Sequence, residues 1–327
     1  MIGKQNPTGD YLNKKIKVGV LQFDFMCYNN KGGNMFKYRI LNEGKDFIFL
    51  ENNRSNTKGS REKRIIIDRH NLKRGFFKYQ KYNCSEACSE KLACEIAKVL
   101  NIETAQIEFA KDEKGILGII SYLFIKDGET HTDAKDFFNV NQFDRRKFCK
   151  ISSIKIFLDS FGKNEFEKFI EIMVFDALIG ESDRHEENWG LTKNINGYRL
   201  SPLYDSSCNL LRAFKNPEIA RPYYNKEKNL EEYSNKSKTC IYKENLQGRY
   251  KHFELIEKLL EDYPQITENK IKKLKKLTNL KIRIILNRLP CGIIEDMHKE
   301  YIYKYIIIRK KHLLNLLYRK ERILIEN

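Results

Sequence analysis

Short apolar runs with a period of two dominate the first part of the chain and predict β-strands. Apolar and polar residues alternate from Lys15 to Phe25, and further strands are predicted at Phe36–Leu41, Phe47–Leu50, Ile65–Ile67 and Phe76–Phe77. The turn-forming residues Asn71 to Gly75 separate the last two runs. These two strands are therefore predicted to pair as a hairpin.

The period changes to that of a helix between residues 85 and 101. Leu92, Ile96 and Leu100 recur at helical spacing, with Ser85 or Ser89 as the candidate N-cap and Asn101 as the predicted end. Two more strands are predicted after this helix, at Gln106–Phe109 and Ile116–Phe124. Strands with a single helix among them predict a small sheet domain, which we expect to end near residue 125.

The remainder of the chain predicts mainly helices. One apolar stripe includes Phe166, Phe169 and Met173, and Gly180 follows it at the place where a helix commonly ends on glycine. Helical periodicity also covers residues 251–263, 268–288, 292–308 and 311–325. The predicted fold class is α+β, with a sheet-rich N-terminal lobe over residues 1–125 and a larger helical C-terminal lobe over residues 126–327.

Composition narrows the class of protein. The chain has 327 residues, of which 41% are hydrophobic, so it can build a core and is not an intrinsically disordered protein. No segment reaches the ~18 uncharged apolar residues of a membrane-spanning helix. The first 25 residues lack the basic start and long apolar run of a secretory signal, which predicts a cytoplasmic protein.

The chain is strongly basic, with a formal net charge of +17. Eight of the basic residues lie between Lys270 and Arg288, where no acidic residue occurs, and the segment from Tyr301 to Asn327 is also rich in lysine and arginine. The simplest interpretation is that these residues form the solvated faces of amphipathic helices. The alternative is a surface that docks an acidic protein, an anionic lipid or nucleic acid.

Carboxylate and amide side chains gather between residues 180 and 209. Asp183 follows the predicted helix end, Asn188 comes five residues later, and Asp205 lies beyond a predicted turn at Asn196–Gly197. This set suits magnesium-dependent phosphoryl transfer, in which one Asp orients the attacking hydroxyl while an Asn and a second Asp hold the metal. The D-x-x-x-x-N spacing is that of the protein-kinase catalytic loop, although turn residues also reach it by chance.

The order of the other parts along the chain also fits a kinase. A glycine-bearing loop precedes a strand lysine, and a helix glutamate follows. Lys78 closes a strand directly before the predicted helix and is the candidate phosphate-binding lysine, with Lys81 as its rival. Its partner on the helix is Glu90 or Glu95, and Glu90 is preferred because two alanines on its side of the helix allow close approach to a sheet.

Two stretches resemble a known family. Asp183 to Asn188, followed by Arg199 to Asp205, resembles the D-x-H-x-x-N … R-L-(S/T)-P-x-Y-D signature of the HipA-like serine/threonine kinases. Phe175–Gly180 resembles the helix end before that family's catalytic loop, and Gly59–Lys63 resembles its G-x-Q-E-K loop with Arg61 in place of Gln. The resemblance implies a two-lobed protein-kinase-like fold that uses ATP and Mg²⁺.

The resemblance also implies roles for individual residues. Asp183 would be the catalytic base, Asn188 and Asp205 would be Mg²⁺ ligands, and Glu90 would be the glutamate that pairs with Lys78. Asp205 takes the place of the kinase DFG aspartate, but Ser206 and Ser207 follow it, so regulation by a DFG flip is in doubt.

ATP would contact two further segments. Gly59 and Ser60 would lie over its phosphates, where backbone N–H groups can bind them. Tyr122 to Phe124 would present backbone groups to adenine. Ser55, Thr57 and Ser60 are candidate self-phosphorylation sites because they would lie near the transferred group.

The predicted function is an ATP- and Mg²⁺-dependent serine/threonine protein kinase whose substrates include itself. The alternatives are a kinase acting on lipid or another small alcohol, and a kinase-like shell that docks an acidic partner or nucleic acid through its basic helices. The resemblance to compact, cell-translocating members of the family adds delivery into another cell as an alternative to the cytoplasm. The sequence identifies no particular substrate.

Overall fold

The structure is a computed structural model and describes residues 36–54, 63–138, 144–223, 227–245 and 247–326. The predicted strand Lys15–Phe25 and the loop residues Gly59 and Ser60 lie outside the described residues. The strands are β1 (Ile40–Asn42), β2 (Phe47–Arg54), β3 (Lys63–Asp68), β4 (Arg74–Tyr79), β5 (Ile107–Lys111), β6 (Leu117–Tyr122), β7 (Thr130–Asp133), β8 (Gly190–Asn194), β9 (Gly197–Leu200), β10 (Lys238–Tyr242) and β11 (Arg249–Lys251).

Helices make up most of the rest. They are α1 (Glu86–Val99), α2 (Arg145–Phe148), α3 (Ile151–Asp159), α4 (Glu165–Ile179), α5 (Pro217–Ala220), α6 (Glu227–Lys236), α7 (His252–Asp262), α8 (Pro264–Lys273), α9 (Asn279–Asn287) and α10 (Asp296–Glu326). Short 3₁₀ segments lie at Ala134–Phe137, Arg212–Lys215, Arg221–Tyr223 and Leu274–Lys276.

Six strands form one sheet in the order β1-β5-β6-β4-β3-β2, with β1 parallel to β5 and the other neighbours antiparallel. The predicted hairpin of β3 and β4 is confirmed. Because side chains alternate between the faces of a strand, Phe77 enters an apolar cluster on one face of the sheet. Lys78 and its cross-strand neighbours Lys63 and Ile119 belong to the opposite face, which α1 covers.

The predicted helix at 85–101 is confirmed as α1, which begins after Ser85. It is buried on nearly every side, because the sheet covers one face and helical parts of the chain cover others. Leu92, Ile96 and Leu100 belong to the large apolar core. Glu90 and Lys91 are each only 2% exposed, so α1 also carries charged groups into the interior.

The helical part of the chain is arranged around α4. This helix packs against α3, α7, α8 and α10, and nearly all of its residues are buried. A small antiparallel sheet of β7, β8 and β9 lies beside it. Trp189, directly before β8, connects this sheet to the helices. Its ring packs against Phe169 of α4 and stacks with Phe148 of α2.

Three predicted element boundaries were wrong. The strand at 36–41 is shortened to Ile40–Asn42. The segment 268–288 is not one helix, because a 3₁₀ segment follows α8 and the side chain of Thr278 then accepts from the N–H of Lys281 to begin α9. The helices at 292–308 and 311–325 are one continuous helix, α10. Arg309, which lies between the two predicted segments, is fully buried within it.

The predicted α+β class agrees with this arrangement of one sheet with α1, followed by a largely helical part. Helices α3 and α6 and the β10–β11 pair were not predicted. The sheet ends at Tyr122 and β7 already pairs with β8. The domain boundary after residue 125 stays a prediction.

Candidate active site

The end of α4 fixes where the candidate catalytic loop begins. Gly180 ends the helix with φ +75°, a left-handed conformation that favours glycine. A β-carbon at this position would collide with the Tyr305 hydroxyl of α10. The N–H groups of Gly180 and Glu181 both donate to the carbonyl of Asp176, at 2.8 and 3.0 Å. The close contact between Gly180 and Tyr305 of α10 therefore fixes the direction in which the chain leaves α4.

Asp183 to Asn188 fold into a tight loop held by its own hydrogen bonds. The Asn188 side-chain amide donates to the Asp183 carbonyl at 2.6 Å, and the N–H of His185 donates to the same oxygen at 2.8 Å. Half of the Asp183 side chain stays exposed. Because Nδ2 of Asn188 is held by that carbonyl, Oδ1 is the side-chain atom assigned to face away from it.

Arg184 joins this loop to the segment that carries Asp205. Its buried guanidinium pairs with both carboxylate oxygens of Asp176 at 3.0 Å. It also donates to the carbonyls of Asn188 and Tyr204, at 3.0 and 2.8 Å, and to the Ser206 hydroxyl. Burial disfavours the charged guanidinium, but Asp176 outweighs burial and raises the pKa of Arg184. One buried cation thus connects a helix end with both loops.

Asp205 lies at the centre of a group of charges. Its backbone is left-handed, with φ +49°, a conformation that aspartate adopts more readily than most non-glycine residues. Its carboxylate accepts from Lys78 Nζ at 3.2 Å and lies 3.7 Å from Lys63 Nζ. Since Lys63 and Lys78 are directly opposed across β3 and β4, the carboxylate separates two like charges.

Lys78 is paired with the glutamate that the sequence favoured. Its ammonium donates to Glu90 Oε1 at 2.8 Å, whereas Glu95 pairs with Lys91 and Lys98. Burial disfavours the charged lysine, but the carboxylates of Asp205 and Glu90 together outweigh this and raise the pKa of Lys78. Lys81 is half-exposed and lies 3.8 Å from Glu86 instead.

The segment Tyr122–Phe124 connects the sheet to the helical part. The N–H of Tyr122 donates to the Gln106 carbonyl and that of Leu123 to the Arg74 carbonyl, both at 3.0 Å. An adenine ring placed here would have to use the N–H of Phe124 or the carbonyl oxygens of the segment. The Phe124 ring stacks on Tyr204, directly before Asp205, with centroids 5.6 Å apart.

Two buried side chains bind backbone carbonyls in the last turn of α4 and directly after it, just before the loop of Asp183. His252 Nε2 lies 2.7 Å from the Glu181 carbonyl, and burial lowers the pKa of His252 to about 3, so the ring is neutral. Nε2 is then the donor in that bond. The Arg309 guanidinium donates to the Ala177 carbonyl at 2.6 Å and to the Ser234 carbonyl at 2.9 Å. Arg309 therefore binds a carbonyl in the last turn of α4, where partial negative charge accumulates.

The structure brings several of the predicted residues together. Lys78, Glu90 and Asp205 form one ion cluster, and Asp183 and Asn188 share one loop that Arg184 joins to the Asp205 segment. Glu181 and Arg184, which contribute to the arrangement, were not predicted, and Lys63 was predicted only as the last residue of the stretch that resembles the G-x-Q-E-K loop. Their charge was visible in the sequence, but the partners of Arg184 and Lys63 come from remote segments. The roles of the predicted residues in catalysis and in nucleotide and metal binding stay predictions.

The donor atoms present fit a magnesium ion. Asp205 supplies a carboxylate that is 21% exposed, and Asn188 supplies an amide oxygen, and both are ligands that Mg²⁺ prefers. Among the described residues, no cluster of three or more His, Cys, Asp or Glu side chains could hold a metal. Mg²⁺ in phosphoryl-transfer sites needs only one or two carboxylates, because substrate phosphates and water complete its coordination.

The basic helices are partly neutralised within the chain. Four of their cations form ion pairs: Lys270 and Lys273 with Glu171, Lys272 with Glu268, and Arg283 with Glu300. Lys275 and Lys276 lie on the surface. This favours solvated faces with local ion pairs, and an acidic partner stays an alternative. Across the part of the chain that is described, no helix has the length and apolar character to cross a membrane.

A comparison with protein families matches residues 55–265 to the model of the HipA-like C-terminal domain. Among curated proteins, the chain is 24% identical over 260 residues to the serine/threonine-protein kinase CtkA of Helicobacter pylori strain J99, covering 70% of this chain and 71% of CtkA. The resemblance seen in the sequence motifs is therefore confirmed.

Solved structures agree on the fold. The crystal structure of the proinflammatory kinase CtkA of Helicobacter pylori superposes with a TM-score of 0.68 at 16% identity, covering 80% of this chain and 94% of that chain. HipA, in the complex of the Shewanella oneidensis toxin–antitoxin system HipA and HipB with operator DNA, gives a TM-score of 0.55 at 13% identity, covering 84% and 66%. The predicted two-lobed, HipA-like kinase fold is confirmed.

Proposed function

The chain belongs to the family of the HipA-like C-terminal domain and is kinase-like, and from this premise we propose that it is an ATP- and Mg²⁺-dependent serine/threonine protein kinase that also phosphorylates itself. The observation that carries the proposal is the buried ion cluster of Lys78, Glu90 and Asp205 beside the loop of Asp183. Protein kinases require this lysine–glutamate pair and a metal-binding aspartate to be in place together.

Lys78 would bind the phosphates of ATP from the α1 side of the sheet. Glu90 holds the ammonium at 2.8 Å and keeps it charged in a buried site. A cation fixed before the substrate arrives needs no reorganisation during the reaction, which is how charge stabilisation contributes most to catalysis. Gly59 and Ser60, outside the described residues, would cover the phosphates.

Asn188 and Asp205 would hold Mg²⁺, which when bound neutralises charge on the phosphates and orients the transferred group. The Asn188 amide is oriented by the Asp183 carbonyl, and the Asp205 backbone by its neighbours in the loop that Arg184 anchors. In the structure, the Asp205 carboxylate forms ion pairs with both Lys63 and Lys78. We expect Asp205 to release both ammonium groups when it binds the metal, while Glu90 keeps that of Lys78 in place.

Asp183 would orient the acceptor hydroxyl and accept its proton. Its side chain is half-exposed, so an acceptor can reach it, while its backbone is held on both sides by hydrogen bonds to Glu181 and Asn188. His185 would not replace it, because the one acceptor nitrogen of its neutral ring, Nδ1, already accepts from the N–H of Glu187. His185 therefore orients the loop through hydrogen bonding and does not act as the base.

Replacing Lys78 with methionine tests the proposal against a matched change at Lys81. We expect Lys78→Met to lower kcat/KM for phosphoryl transfer by roughly 10²- to 10³-fold, the cost of losing one preorganised charge. Lys81→Met, which removes a half-exposed lysine three residues away, should stay within about 2-fold of the wild type. The measurement is transfer of labelled phosphate from ATP to the protein and to a generic serine/threonine substrate.

Several outcomes would overturn the proposal. Equal losses in both lysine variants would mean that Lys78 has no special role. Transfer of phosphate only to lipid or a small alcohol would show that the chain is a lipid or small-alcohol kinase and not a protein kinase. Nucleic-acid binding without any ATP turnover would favour the docking shell.

A further inference from the structure

Glu181 is a buried carboxylate between the two loops of the candidate site, and neither the sequence motifs nor the comparisons assign it a role. It is 2% exposed. Oε1 accepts from the N–H of Asp183 at 2.9 Å. Oε2 accepts from the N–H of Cys208 at 3.1 Å and from the Asn209 side-chain amide at 3.0 Å. One side chain thus bonds the backbone of the catalytic loop and the backbone just beyond Asp205.

These bonds complement those of Arg184. The guanidinium of Arg184 binds carbonyls, at Asn188 and Tyr204, while the carboxylate of Glu181 binds amides, at Asp183 and Cys208. The catalytic loop is therefore held near its first and last residues, and the Asp205 segment is held on either side of Asp205. A pair of opposite charges fixes the relation between the two loops.

Burying Glu181 has a cost that its hydrogen bonds must offset. Removal from water disfavours a carboxylate strongly unless donors or cations compensate. Burial raises the pKa of Glu181 to about 7, and Asp176 nearby acts in the same direction. Arg184 and the N–H donors at Asp183 and Asn209 favour the charged form. On the other side, the neutral ring of His252 contacts the Glu181 carbonyl and adds no charge.

We propose that Glu181 is a positioning residue for phosphoryl transfer, which fixes the loop of Asp183 relative to the loop of Asp205. The inference rests on the proposed function and deepens it. Glu181 acts on the base through its backbone, since its carboxylate accepts from the N–H of Asp183, the N–H of Cys208 and the Asn209 amide. Its loss should therefore impair the transfer step more than the binding of ATP.

The variant Glu181→Gln tests this because it keeps the size of the side chain but turns one acceptor into an NH₂ donor. That donor would face an N–H donor of Asp183, Cys208 or Asn209. We expect kcat to fall about 10- to 100-fold, since displacement by about 1 Å can cost 10²-fold, with KM for ATP within about 2-fold of the wild type. Asp46→Asn is the matched control, because Asp46 is a buried carboxylate that likewise accepts a backbone N–H, that of Asn42, but belongs to neither loop of the candidate site.

A second variant keeps the test decisive if Glu181→Gln does not fold. Asn209→Ala removes one donor from the same carboxylate, together with a hydrogen bond to the Ser206 carbonyl beside Asp205, and should lower kcat several-fold with little change in KM. A kcat within about 2-fold of the wild type in the folded variants, or an increase in KM alone, would overturn the proposal. An equal loss of kcat in Asp46→Asn would also overturn it.

Hydrogen exchange separates this inference from the proposed function. In Glu181→Gln, the amide of Asp183 or that of Cys208 should exchange at least about 10-fold faster than in the wild type, because the new NH₂ group leaves one of these two N–H groups without its acceptor. Unchanged exchange would overturn the positioning role even if the wild type proved inactive. If the wild type shows no phosphoryl transfer but the variant exchanges faster, the proposed kinase activity is refuted. The conclusion that Glu181 fixes the two loops relative to each other then still holds.

Discussion

The Asp205→Asn variant is expected to lose phosphoryl transfer by at least about 10³-fold in kcat/KM, or about 4 kcal/mol of transition-state stabilisation at 1.36 kcal/mol per tenfold. The change removes one charge and keeps the shape of the side chain. Asparagine is a weaker ligand for a hard cation, and it leaves Lys63 and Lys78 without the anion that lies between them. Lys78 keeps Glu90 as its partner, so the fold should persist.

Nucleotide binding shows whether this loss comes from the metal. The wild type should bind ATP more tightly as Mg²⁺ is added, whereas in Asp205→Asn most of that dependence should disappear. Asp127→Asn removes the same charge from an exposed loop and should behave as the wild type does. Full magnesium dependence in Asp205→Asn would show that Asp205 is not a metal ligand.

Arg184→Met is expected to lower the free energy of unfolding by about 3–5 kcal/mol. Methionine fills much of the space, but it leaves the Asp176 carboxylate buried without its cation and removes donors from the carbonyls of Asn188 and Tyr204. Burial already raises the pKa of Asp176 despite Arg184. Without the cation, that carboxyl should become protonated or expose itself to water.

Urea unfolding of matched variants measures this effect. Arg199→Met removes a more exposed arginine that pairs with Glu103 and Glu129, and it should cost less than about 1 kcal/mol. Adding Asp176→Leu to Arg184→Met should recover part of the loss, because it removes the orphaned charge. A loss below about 1 kcal/mol in Arg184→Met would mean that Arg184 does not hold the two loops.

Local patterns were enough to predict much of the fold. The hairpin of β3 and β4 and the helix α1 follow from alternation, turn residues and helical spacing within about 20 residues. Gly180 likewise ends α4 as predicted, since the left-handed position is a local requirement. By contrast, the continuity of α10 through Arg309 depends on carbonyls of α4 and α6 that accept from the guanidinium. No local pattern reveals that a charged residue is buried.

In the candidate site, too, some features could be predicted from local sequence and others depend on distant contacts. The spacing of Asp183, Asn188 and Asp205 and the order of Lys78 and Glu90 could be read from the sequence, because each part follows a recognisable element. Arg184 and Glu181 could not be assigned in this way. Both contact backbone atoms 20 to 27 residues away, which a residue of any type can supply and which therefore leave no residue-type signal in the sequence.

Phosphoryl transfer by the wild type and by Asp183→Asn tests the central claim most directly. Both proteins are incubated with Mg²⁺ and ATP labelled at the γ-phosphate, and the labelled residues are identified by mass spectrometry. The account predicts phosphoserine or phosphothreonine on the wild type and at least about 100-fold slower labelling of Asp183→Asn, with nucleotide binding unchanged. No labelling of the wild type, or equal labelling of both proteins, would contradict it.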